Sequence, residues 1–291
     1  ALSEDTVSVN KSKSDESQKD LFSKRAVNAK TFPPENGKRV EVKFGNKRMT
    51  GIITKIFDEL PKDLGFDEKK IRPIVRVPDE SPILTEELLT LGSWMSSYYL
   101  CPIGEVLNSI IPSGKRESES SAFSFVEEFS EKKNIELSDE QKKAIEAICS
   151  FNSEENKFHY LFGTTGSGKT EVFMRVAENV LKKDKGIIYL VPEIGLTPQV
   201  IEAVVNRFGK TAAVLHSGLT PSQKLAEWNR ILKREARIVI GARSAVFAPV
   251  PDLGLIIIDQ EHDGSYKSNN TPRYHARQVA MYRCATLGIP L

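Results

Sequence analysis

Eight consecutive residues carry the clearest chemistry in the chain: Gly163, Thr164, Thr165, Gly166, Ser167, Gly168, Lys169 and Thr170. They match the pattern G-x-x-x-x-G-K-[ST]. A polyphosphate needs many N–H donors at close range. Glycines let backbone N–H groups close around its oxygens, and a helix that starts there adds partial positive charge. Lys169 is long enough to reach the β- and γ-phosphates, and the Thr170 hydroxyl is a hard oxygen ligand for Mg²⁺. A chance glycine-rich turn is the bland alternative. The context argues against it: the apolar run FHYLF (158–162) precedes the loop and the helical pattern TEVFMRVAENVLKK (170–183) follows it. ATP with Mg²⁺ is the expected ligand.

A second group lies at the end of LIIID (255–259), where Asp259 is followed by Gln260, Glu261 and His262. A buried strand delivering an acid at its C-terminal end suits a carboxylate that holds Mg²⁺, usually through its water shell. A strand merely ending in a polar turn is the alternative. Ahead of the P-loop, Ser138 and Gln141 have capping-box spacing. Gln141 is equally readable as an adenine-contacting side chain, and the two roles are compatible. After Asp259 comes HDGSYKSNNTPRYHAR, which sets Tyr266, Lys267, Arg273, Tyr274, His275 and Arg277 close together. Aromatics beside cations suit a single strand, whose bases stack and whose phosphates pair. An ordinary surface loop with inward-packed tyrosines fits the composition as well. Near the N-terminus, Lys38, Lys43, Lys47 and Arg48 surround a Gly45-Asn46 turn, as a phosphate-facing patch or as a solvated basic turn.

These residues need elements to hold them. From Leu137 onward, apolar runs alternate with helical stretches: FHYLF, GIIYLV (186–191), TAAVLH (211–216), RIVIG (237–241) and LIIID. Near-continuous apolar strands alternating with helices predict an α/β domain with a parallel sheet covered on both faces. Upstream, KRVEVKFG and MTGIITKIF alternate apolar and polar residues, and TEELLTLGSWMSSYY has helical spacing, so residues 25–112 read as a small β-rich domain closed by a helix. Residues 1–24 are polar and read as disordered, residues 113–136 as a linker, and 137–291 as the nucleotide-binding domain. The 291 residues suffice for two domains, and a net charge of +2 leaves any nucleic-acid affinity to local patches. Three widely spaced cysteines support neither a disulfide framework nor a zinc site. With no apolar run long enough to span a bilayer, a cytoplasmic setting without membrane contact is expected.

GTTGSGKTE, YLVPEIGLTPQ, LHSGLT, GARSAVFAP, LGLIIIDQEHDGSYK and PRYHARQVA together resemble the PriA family of bacterial primosomal helicases, densely over Leu137–Leu291. RVEVKFG, GIITKI and LGSWMSSYYLCPIGEVLNSIIP resemble, less closely, that family's module for capturing DNA 3′ ends. The resemblance implies the first RecA-like lobe of a superfamily 2, 3′-to-5′ DNA helicase. Such a helicase recognises branched DNA at stalled forks, engages primosomal proteins and single-stranded-DNA-binding protein, and acts as a monomer. It implies that Pro192, Thr197, Gly218, Arg243 and Ser244 follow the DNA strand or link it to the ATP site, and that Asp263–Arg277 couples single-strand binding to hydrolysis. The DNA-binding candidates are thus Arg243, Ser244, Tyr266, Lys267, Arg273, Tyr274 and Arg277, with Lys47 and Arg48 in the upstream domain.

Four departures accompany the resemblance. Where the family reads D-E-E-H, this chain has Gln260 in place of the carboxylate that polarises the attacking water, so intact ATP binding with slow hydrolysis is expected. The second lobe, with its arginine finger and zinc-binding cysteines, is not among these residues, so the chain alone is expected not to unwind DNA. Residues 113–136 look too short for the family's winged helix, and the first 30 residues do not resemble its opening strand. A non-motor module that binds DNA ends, with the P-loop domain as a platform, is the competing expectation. A superfamily 2 nuclease or restriction ATPase is a weaker third, since no nuclease-like cluster of carboxylates and lysine stands outside the motor motifs.

Overall fold

This computed structural model describes residues 31–61, 65, 67, 70–112, 136–150, 158–164, 166–193 and 198–291. The readings of residues 1–24, of almost all of the 113–136 linker, and of Thr165 and Thr197 lie outside the described residues. The chain divides into two compact units, Ala1–Thr90 and Leu91–Leu291.

In the first unit, β1 (Arg39–Phe44), β2 (Lys47–Ile52) and β3 (Ile74–Arg76) form an antiparallel sheet in the order β2-β1-β3. Gly45 has φ +58° in the two-residue turn joining β1 to β2, where a positive φ matches the twist of the flanking strands and glycine adopts it without penalty. The alternation read from the sequence puts Val40, with Ile53 and Val77, into a small core against Phe32, Val42, Ile56 and Ile74. Arg39 clamps the two carboxylate oxygens of Asp79 at 2.6–3.0 Å, and Arg76 pairs with Glu41 across β1 and β3. Helix α1 (Glu86–Tyr98) follows, with Thr85 Oγ1 accepting from Leu88 N at its start. Helix α2 (Ile103–Ile110) comes next in the chain and belongs to the second unit.

In the second unit, β4 (Gly186–Leu190), β5 (Ala212–Leu215), β6 (Ile238–Gly241) and β7 (Leu253–Ile258) form a parallel sheet in the order β5-β6-β4-β7. Every residue of β4, β5 and β6 is buried, as the continuous apolar runs predict. Helices α3 (Asp139–Cys149), α4 (Lys169–Lys182), α5 (Pro198–Phe208), α6 (Pro221–Leu232) and α7 (Ala276–Leu287) complete the unit. Ile187, Tyr189, Val214, Ile238 and Leu255 of the sheet pack with Val172 and Val176 of α4 and Val204 of α5 in one core. Because all four strands run parallel, their C-terminal ends lie at one edge, the place where α/β sheets bind ligands. Asp259 N donates to Leu190 O at 2.9 Å and Val191 N to Gly241 O at 3.0 Å, so the segments leaving β4, β6 and β7 are stitched together there.

One expected strand differs. FHYLF forms no strand, and Phe158, Tyr160 and Phe162 are 43%, 75% and 85% exposed. Leu161 packs on the core. Residues 289–291 lie between this segment and β7: Pro290 O accepts from Ile256 N, and Leu291 O accepts from His159 N at 2.8 Å. Apolar patterning is satisfied on one side of FHYLF, but a ladder needs a neighbour running its full length, and among the described residues none does.

Candidate nucleotide site and adjoining basic loop

The P-loop turns into α4 at Lys169 through Gly166 (φ +84°) and Gly168 (φ +79°). Both φ values lie where side chains other than glycine are strained. Space reinforces the requirement, since a Cβ on Gly168 would stand 2.4 Å from Gln141 Nε2. Lys169 Nζ donates to Gly163 O (2.7 Å) and Thr164 O (2.8 Å). An ammonium has three donors, so the loop's own carbonyls hold this one in place and leave a proton for a phosphate oxygen. Gly168→Ala is expected to cost about 1–2 kcal/mol in strain and to displace Gln141. Thermal unfolding and nucleotide titration of the variant check this, and wild-type values in both would refute it.

Gln141 performs the capping role in full. Its N–H donates to Ser138 Oγ and its Oε1 accepts from Ser138 N, while Nε2 donates to Ser167 O at 3.1 Å. The glutamine therefore ties the start of α3 to the P-loop backbone, and its amide oxygen is already engaged. An adenine contact would use the remaining Nε2 proton.

Asp259 sits directly after β7. Tyr189 of β4 donates its hydroxyl proton to Asp259 Oδ2 at 3.2 Å, and the Thr170 side chain lies beside the same phenol. Burial, followed by the Asp259 charge, pushes the phenol far above its ordinary range, so it stays protonated. The P-loop hydroxyl and the strand-end carboxylate thus converge on one phenol. A hydroxyl and a carboxylate are hard oxygen donors of the kind Mg²⁺ accepts, with the nucleotide's phosphates supplying others. The residues present fit the ion. Among the described residues, no cluster of three or more His, Cys, Asp or Glu side chains could hold a metal by itself. Tyr189 was not singled out in the sequence. Its signal was a lone polar atom in an otherwise apolar run, and a buried phenol needs a partner.

Gln260 is exposed and holds φ +48°. The neighbouring Glu261 carboxylate is paired with Arg277 Nη1 at 2.8 Å, which commits it elsewhere.

The loop that follows corrects two expectations. Tyr266 is fully buried and donates its hydroxyl to Asp259 O at 2.7 Å. Tyr274 is 5% exposed and packs on Phe247. Both rings turn inward because each fills apolar space behind the loop, so neither is presented for base stacking in this arrangement. Arg243 is also engaged: Nη1 donates to Ser265 O (3.0 Å) and Lys267 O (2.5 Å), and the guanidinium lies 5.8 Å from the Tyr274 ring centre. It shapes the loop from inside. Ser244 beside it is exposed. Lys267 donates to Arg273 O and lies 5.9 Å from the ring centre of Tyr99, whose hydroxyl accepts from His275 N at 3.2 Å. What this segment presents outward is cationic: Lys267, Arg273 and Arg277 are exposed.

In the first unit, Lys38 departs from the proposed basic patch. It is 3% exposed, its ammonium held by Pro33 O at 3.2 Å and Glu35 at 3.1 Å. Lys43, Lys47 and Arg48 are exposed, with Lys43 directly opposite Arg48 in the ladder. Like charges facing each other cost stability, and a polyanion would relieve that cost.

Comparison with known proteins finds a family match for each of the two segments. A family model described as a 3′ DNA-binding domain (3′BD) matches residues 22–112. A model described as DEAD/DEAH box helicase matches residues 138–287, just over half of the chain. The chain is 46% identical over 269 residues to the replication restart protein PriA of Treponema pallidum, covering 92% of this chain and 41% of that protein. It is 48% identical over 164 residues to the Bacillus subtilis protein of the same name, covering 56% and 20%. To that of Rickettsia conorii it is 36% identical over 269 residues, covering 88% and 39%. The chain thus spans about two fifths or less of the length of these relatives.

Proposed function

Because the chain belongs to the DEAD/DEAH box helicase family, we propose that it is the N-terminal portion of a replication restart helicase, pairing a module for DNA 3′ ends with the ATP-binding lobe of a 3′-to-5′ motor. The observation that carries this reading is the junction at Asp259. Its carboxylate joins the P-loop hydroxyl through Tyr189, while its backbone carbonyl accepts from Tyr266 in the basic loop. One residue therefore touches both the nucleotide side and the candidate DNA side.

In this reading Lys169 and the P-loop N–H groups bind the β- and γ-phosphates, and Thr170 and Asp259 hold Mg²⁺, which withdraws charge from the phosphates when bound. Gln141 sets the P-loop against α3. Lys267, Arg273 and Arg277, with Ser244 nearby in sequence to Arg243, meet the DNA backbone, while Arg243, Tyr266 and Tyr274 shape the loop. Lys47 and Arg48 meet phosphates near a 3′ end. The substrate is branched DNA at a stalled fork, and the partners are primosomal proteins and single-stranded-DNA-binding protein, engaged by a monomer. Among the described residues, no helix is long and apolar enough to cross a membrane, and a cytoplasmic setting belongs to the same proposal. The helicase match over residues 138–287 weighs against a mere platform.

Labelled single strands with free or blocked 3′ hydroxyls, titrated with and without ATP, test the reading. Tighter binding of the free end, falling steeply with salt as phosphate contacts release counterions, is expected, together with a change of affinity when MgATP is added. End preference with no response to ATP would instead support the non-motor module.

A further inference from the structure

The phenol at position 189 does more than fill the core. Its ring is 1% exposed and meets Phe173 edge-on, with centroids 6.0 Å apart. Tyr189 pairs with Ile257 in the parallel ladder, which places Asp259 two residues further along the neighbouring strand. At about 3.3 Å per residue that offset is the reach of a phenol, so the hydroxyl arrives at Asp259 Oδ2 without bending either strand. It also meets Thr170 in the first turn of α4. The phenol donates its proton to the carboxylate, which leaves its oxygen lone pairs free to accept from the Thr170 hydroxyl beside it.

We propose that Tyr189 is a positioning residue for the Mg²⁺ that accompanies the nucleotide, holding the Thr170 hydroxyl proton and one Asp259 carboxylate oxygen so that the threonine lone pair and the second carboxylate oxygen face the cation. The inference rests on the nucleotide-binding reading above. A hydroxyl that ligates a cation must send its proton elsewhere, and the phenol is the acceptor in place. An aliphatic side chain at this position would fill the core but leave the two oxygens without a common anchor.

Tyr189→Phe removes one oxygen and keeps the ring. The test is a fluorescent ADP analogue, titrated first in EDTA and then with rising Mg²⁺. For the variant the Mg²⁺ concentration at half-maximal enhancement is expected to rise roughly tenfold, with the metal-free affinity and melting temperature close to wild type. In the Asp259→Asn background the same change is expected to add little, as two residues acting on one ion require. An unchanged Mg²⁺ midpoint would overturn the proposal. So would an equal loss of metal-free and Mg²⁺-dependent binding, the signature of a role in packing alone. If the wild-type protein bound no nucleotide under any Mg²⁺ concentration, the nucleotide-site reading itself would fall, an outcome distinct from either.

Discussion

Lys169→Ala is expected to abolish measurable nucleotide binding while leaving DNA 3′-end binding intact. The lysine is the one flexible cation built into the P-loop, and charge-assisted hydrogen bonds to phosphate contribute about 1.5–3 kcal/mol each. Losing the one that its remaining proton would make lowers affinity by roughly ten- to a hundredfold, and release of the loop lowers it further, enough to remove binding at ordinary concentrations. The same ammonium ties down Gly163 O and Thr164 O, so the alanine variant also frees the loop ahead of the helix. Calorimetric titration with MgADP, beside a 3′-end binding assay on the same preparation, separates these effects. In the proposed reading end binding belongs to the first unit, whose exposed Lys43, Lys47 and Arg48 lie in a separate compact body. Loss of both activities in a folded variant would refute the idea of two independent modules.

Gln260→Glu is expected to raise steady-state ATP turnover by at least about tenfold, because a positioned general base typically contributes 10²–10⁴-fold. A glutamine amide can orient a water molecule but cannot take its proton. The adjacent carboxylate does not substitute, since Glu261 is held by Arg277 at 2.8 Å. The exchange leaves size nearly unchanged, and the left-handed backbone at Gln260 (φ +48°) burdens either residue alike, so the fold is expected to accommodate both. Equal rates for the two proteins would mean that the proton leaves by another route. Affinity for MgADP is the control and is expected to change little, because the substitution concerns the attacking water rather than the phosphates already bound.

Much of this was readable along the chain because it depends on neighbours in sequence. The P-loop needs glycines at fixed positions, and Gly166 and Gly168 do adopt the positive φ that the pattern requires. The Ser138–Gln141 capping box closes within one helical turn. The buried strands β4 to β7 announce themselves as apolar runs, since both faces of a covered parallel sheet exclude water. The acid after LIIID falls at the strand's end for the same reason, and with it the candidate Mg²⁺ carboxylate.

What the sequence left open turned on contacts between distant segments. Tyr266 and Tyr274 lie in a polar run, and composition weighed base stacking and inward packing alike. Burial against the backbone of Asp259 and the ring of Phe247 decides for the second. Arg243 reads as a cation for DNA, yet the carbonyls of a loop more than twenty residues away claim it. Lys38 sits in a basic run but is enclosed, because Pro33 O and Glu35 satisfy its ammonium where a solvated lysine would stay in water. FHYLF has strand patterning and lacks a full ladder neighbour. Tyr189 looked like one more core residue until the register of β4 against β7 brought its hydroxyl to Asp259. In each case the local pattern fixed the backbone state or the polarity of the position, whereas the partner of a buried polar atom comes from another part of the chain, and only the folded arrangement supplies it.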